Sequence, residues 1–152
     1  MFGNDRENMR RYYVETWRKA NAGETLDPME RMVATVISEH PEYQPLLAPG
    51  NEAVLERDYM PEDGQTNPFL HMGMHIALRE QTGTDRPPGI RTLFEQLARH
   101  EGDHLEAEHR LMEPLGEVLH AAQRAGTQPD EADYLERVRK VVTQATGGRA
   151  EG

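Results

Sequence analysis

The 152 residues carry 27 acidic and 17 basic side chains, a formal net charge of −10 that repels nucleic-acid backbones and anionic lipid surfaces. No cysteine is present, which removes thiol catalysis, disulfides, iron–sulfur clusters and cysteine zinc sites together and leaves the redox compartment open. The length suits one domain, and neither the amino terminus MFGNDRENMRR nor any later stretch has the apolar run of a leader or a membrane span, so a soluble cytoplasmic chain is expected.

Gly and Pro divide the sequence into about five main helical patterns with no sustained period-two alternation. The expected class is all-α: a single-domain helical bundle over residues 1–143 followed by a flexible tail at 144–152. The first helix spans about residues 5–21, with Met9, Tyr13, Trp17 and Ala20 as its apolar stripe. Asp27-Pro28-Met29-Glu30 then reads as a capping box with proline at the first helical position, and Met29, Val33, Val36 and Ile37 form the buried face of a second helix that Pro41 stops at His40. A proline-interrupted connection, PEYQPLLAPG, leads to NEAVLERDY (51–59), a short helix opened by Asn51, and then to the loop MPEDGQT.

Asn67 and Pro68 cap and open a helix near 68–82. Phe69, Leu70, Met72, Met74, Ile76, Ala77 and Leu78 point all round its axis, so this is the expected central buried helix. After GTDRPPG, a long helix is expected near 90–125, kinked or divided at Pro114. DEADYLERVRKVV closes the domain as an amphipathic segment.

Two polar interruptions of apolar surface carry the functional reading. The buried helix near 68–82 holds His71 and His75 on successive turns of one face. On the long helix, the stripe of Ile90, Leu93, Phe94, Leu97, Leu111, Met112, Leu115, Val118, Leu119 and Ala122 is broken at its middle by His100, Glu101, His104 and Glu108. Imidazole and carboxylate ligands from facing helices suit one divalent transition metal, with zinc or iron favoured. Glu101 and His104 have the Glu-x-x-His spacing of di-iron proteins, but only once, which favours a mononuclear centre. His100-Glu101-Gly102-Asp103-His104 also fits the His-Glu-x-x-His zinc-protease pattern. That reading is set aside, because Gly102 and Asp103 weaken the helix it needs and no strand-rich flanks accompany it.

Each residue also has a plainer explanation. Buried histidines are commonly core residues bonded to a carbonyl or a carboxylate. His40 lies on the core stripe of the second helix and is a fifth, lesser candidate, but a histidine at a helix end also benefits from the helix dipole, and His109 lies off the stripe as a surface residue. His120, Glu113 and Glu117 belong to a solvated face, the methionines fill the core, and Ser38, the only serine, lacks a nucleophile's setting.

The segments PEDGQTNPFLHMGMHIALREQ, RPPGIR, HLEAEH and LGEVLHAAQRAG resemble an uncharacterised family of small proteobacterial proteins, a domain of unknown function, over most of the chain to about residue 140. The shared patterns are TNPFLHxxxH and HxEAEH. The resemblance implies a small bacterial cytoplasmic protein and no substrate. It places His71, His75, His104 and His109 in the family's pattern, which strengthens His109, and marks Pro114 as a departure from it. The expected function is a small helical protein with a mononuclear metal site drawn from His71, His75, His104, Glu108, Glu101 and His109. The alternative is a non-catalytic acidic adaptor in which the histidines form a buried network and the negative surface docks a basic protein partner.

Overall fold

In the computed structural model, which describes residues 5–55, 57–59 and 67–148, the chain forms α1 (Asp5–Asn21), α2 (Pro28–Ser38), α3 (Pro68–Thr84), α4 (Ile90–Glu101), α5 (His104–Ala125) and α6 (Glu131–Thr146). Single 3-10 stretches occupy Pro41–Leu47 and Glu52–Leu55, and no strand occurs among the described residues. The class is all-α, with more helices than the five read from the sequence. The backbone divides into two compact units, residues 1–76 and 77–152, with the boundary falling inside α3.

In the first unit, α2 starts as its sequence dictates. Asp27 accepts from the backbone N–H of Glu30 at 2.7 Å, and the Glu30 carboxylate accepts from the Asp27 N–H at 2.9 Å, so two orphan donors are satisfied reciprocally. Lys19 adds an ion pair to Glu30 at 2.7 Å. Val33, Val36 and Ile37 then enter a core with Tyr13, Leu47, Val54, Leu55, Phe69, Met72 and Ile76. Among its described residues NEAVLERDY contributes the 3-10 turn Glu52–Leu55, Asn51 donates to the Pro45 carbonyl at 3.3 Å, and the loop expected at MPEDGQT lies outside the described residues.

The inner face of α1 differs from the stripe expected. Arg10, Tyr13 and Thr16 are buried, whereas Met9 is 45% exposed. The cause is Arg10: Nη1 donates to the carbonyls of Val54 (3.0 Å) and Arg57 (2.7 Å), and the guanidinium carbon lies 4.9 Å from the centre of the Phe69 ring. Those carbonyls and that ring face partner the buried cation at Nη1 and over its plane, while Nε has no hydrogen-bond partner among the described residues, and the charged side chain takes the inward face in place of methionine.

The second unit is a three-helix packing of α4, α5 and α6. The single long helix expected over 90–125 is instead two, and the division lies at Gly102–Asp103, not at Pro114, which sits buried within α5. Gly102 adopts φ +74° and donates its N–H to the Ala98 carbonyl at 2.8 Å, a left-handed cap that a side chain would strain. Asp103 is extended and accepts from the Leu105 N–H at 3.1 Å, which starts α5. α6 runs on to Thr146 and ends at Gly147, so the first residues assigned to the tail are helical; 149–152 lie outside the described residues.

Candidate metal centre

α3 begins where Asn67 accepts from the N–H groups of Phe69 (3.0 Å) and Leu70 (3.2 Å). Its burial is less complete than the sequence suggests: Phe69 and Met72 are enclosed, but Leu70 is 60% exposed. His71 and His75 rise on successive turns. His75 is fully buried, His71 is half-buried, and their Nε2 atoms stand 3.2 Å apart.

A third imidazole joins them from α2. Pro41 has no N–H and disfavours helical backbone at the residue before it, so α2 ends and His40 takes φ −126°, ψ 69°. The turn is held by the Tyr43 N–H on the His40 carbonyl at 2.9 Å and by Gln44 Nε2 on the Ile37 carbonyl at 3.2 Å. His40 becomes a buried residue whose ring centre lies 5.2 Å from that of His71 and 4.8 Å from that of His75. Its Nδ1 is 2.7 Å from the Val36 carbonyl. A carbonyl can only accept, so Nδ1 carries a proton, and in the neutral tautomer Nε2 presents its lone pair. Bonds of this kind fix the tautomer of histidines that bind metals.

Ligand nitrogens of His40, His71 and His75 all lie within 4.8 Å of one another, close enough to hold one metal ion. Tyr43 backs the cluster, stacked on His40 at 5.5 Å with 4° between planes and edge-on to His71 at 6.0 Å. Burial, then the neighbouring Glu42 charge, pushes its phenol pKa above the ordinary value.

The other residues singled out in the sequence belong to the second unit. Because Gly102 breaks the helix, the wheel that put His100, Glu101, His104 and Glu108 on one stripe loses its phase there. His100 and His104 are exposed, and the His104 ring lies 5.4 Å from that of Phe94. Glu101 faces Arg110 at 3.3 and 3.4 Å. His109 is exposed, with Nδ1 3.4 Å from a Glu106 oxygen. Glu108 is buried, and both oxygens accept from Arg79: Nε to Oε2 at 2.9 Å and Nη2 to Oε1 at 3.0 Å. That fork satisfies a buried carboxylate with a cation. Arg79 follows His75 by four residues on α3, yet was not singled out in the sequence.

The family model described as a domain of unknown function (DUF1841) matches residues 5–140. No curated protein and no solved structure matches the chain.

Proposed function

We propose that this chain, which belongs to the family described as a domain of unknown function (DUF1841), binds one divalent transition metal through His40, His71 and His75. The observation that carries the reading is the setting of the rings: the Val36 carbonyl accepts from Nδ1 of His40 and leaves Nε2 for another partner, and the Nε2 atoms of His71 and His75 are 3.2 Å apart. With zinc–nitrogen bonds of about 2.0–2.1 Å, two tetrahedral ligands sit roughly 3.3 Å from each other. A neutral three-imidazole set suits zinc or iron(II) better than calcium or magnesium, which prefer oxygen ligands. Three protein ligands leave a position for water or a substrate oxygen, which such an ion would polarise.

The competing reading is a polar network, in which one imidazole N–H of the His71/His75 pair donates to the other ring and His40 only caps Val36, with the acidic surface docking a basic partner. Metal analysis separates the two. Protein purified without chelator or affinity tag should carry about one transition metal per chain, and chelator should lower its melting temperature, since an ion bound only by the folded state adds to stability. His40→Ala, His71→Ala and His75→Ala should each lose the metal and the chelator response. His104→Ala and His109→Ala enter the same series as the remaining sequence candidates. No metal, and no thermal shift on adding zinc, iron(II), manganese or nickel, would leave the network reading in its place.

A further inference from the structure

We infer that the second unit carries a separate pocket for a zwitterionic small molecule, an α-amino acid with a branched or aromatic apolar side chain. A cavity of about 490 Å³ is lined by Leu115, Val118, Leu119 and Tyr134, with Arg86, Asp130 and Glu131 as its charged lining residues. Leu115 and Val118 are buried, whereas Leu119 is 43% exposed although apolar. An apolar cavity of this size with a few convergent polar groups is the usual form of a small-molecule site.

The polar lining residues differ in charge and in whether they already have partners. Gln81 also lines the cavity, and its Oε1 accepts from the Tyr134 hydroxyl at 2.6 Å, which leaves the amide nitrogen without a hydrogen-bond partner among the described residues. Arg86 comes from the loop after α3, and Glu131 from the start of α6. Neither has an ion-pair partner among the described residues. Asp130 is already engaged, because its carboxylate accepts from the Asp133 N–H and caps α6. The loop bearing Arg86 is tied down: Asp85 Oδ1 accepts from the N–H groups of Gly89 (3.1 Å) and Arg91 (3.0 Å), and Arg91 donates to the carbonyls of Thr82 and Gly83, each at 2.8 Å.

One cation, Arg86, and two carboxylates, of which Asp130 is spent on a helix cap and Glu131 is not, line the cavity and match a molecule that carries both charges on an apolar body. A simple carboxylate would pair with Arg86 but leave Glu131 opposing it, and a simple amine would do the reverse. The inference requires none of the histidines and stands or falls separately from the metal reading.

Calorimetric titration of the full chain with L-leucine and L-phenylalanine tests it, beside 4-methylpentanoate, which lacks the amine, and 3-methylbutylamine, which lacks the carboxylate. Both amino acids should bind, and both truncated ligands should bind at least about tenfold more weakly, the scale of one lost charge-assisted contact. Arg86→Gln should erase the preference over the amine, and Glu131→Gln the preference over the acid. Both side chains are exposed, so the variants should melt as the parent does. No binding of either amino acid, equal binding of the acid and the amino acid by the unaltered chain, or an unchanged preference in both variants would overturn the inference.

Discussion

The Nε2 atoms of His71 and His75 face each other at 3.2 Å across one turn of α3, and His75 is fully enclosed. Two neutral rings can share one proton there, but two lone pairs at that separation need a cation between them. His40 completes the set with Nδ1 committed to the Val36 carbonyl. His40→Gln should therefore weaken zinc binding by about a hundredfold or more, beyond the 10–100-fold typical of disturbing a group outside the ligand sphere. Competition against a chromogenic chelator measures it, and zinc affinity unchanged in that variant would remove His40 from the centre.

Glu108 offers a test from the other unit. Its oxygens both accept from Arg79, so Arg79→Met should remove that cation from a buried carboxylate and cost about 3 kcal/mol. Glu108→Gln should cost less, because a neutral amide is cheaper to bury, and should retain the metal in full. Denaturant melts and metal analysis of the two variants check both statements.

Gly102 occupies a left-handed cap, so Gly102→Ala should destabilise by about 1 kcal/mol. Gly83, inside α3 with open space around it, should tolerate alanine with no loss. Thermal melts of the two alanine variants should move apart.

The two ends of the pH range are set by different groups. Burial, with Tyr12 nearby, pushes Tyr13 up to about 12 from 10.0. A raised folded-state value means that this stabilisation is present below pH 10 and fades as pH rises toward 12, so Tyr13→Phe should flatten the alkaline limb of a melting curve. Lys19, then the Asp27 N–H, hold Glu30 below its ordinary 4.5. Its contribution is present above that value and is lost as pH falls through the lower folded-state one. Glu30→Gln should flatten the acid limb.

Local chemistry was legible where a few adjacent residues decide it. Asp27 with Glu30, Asn67 with Pro68, and the four-residue step from His71 to His75 all stand as the sequence suggests. His40 reads from the sequence only as a lesser candidate, because a helix-end histidine already has an explanation in the dipole. Pro41 is legible as the stop of that helix, but not its consequence, that His40 leaves helical backbone and packs its ring against those of His71 and His75. Gly102-Asp103 was read as a weak point in one helix, although glycine followed by an N-capping aspartate is also a stop and a start. That slip carried His100 and His104 onto a core stripe from which the structure releases them. Arg10 could not be read at all, since the Val54 and Arg57 carbonyls that receive it lie 44 and 47 residues away in sequence.

Diffraction recorded across the zinc absorption edge, from crystals grown with zinc, bears most directly on the metal centre. One anomalous peak should appear about 2.0–2.1 Å from Nε2 of His40 and from a ring nitrogen of each of His71 and His75. A map with no peak at these three rings, or with its peak on Glu101 and His104, would contradict the assignment.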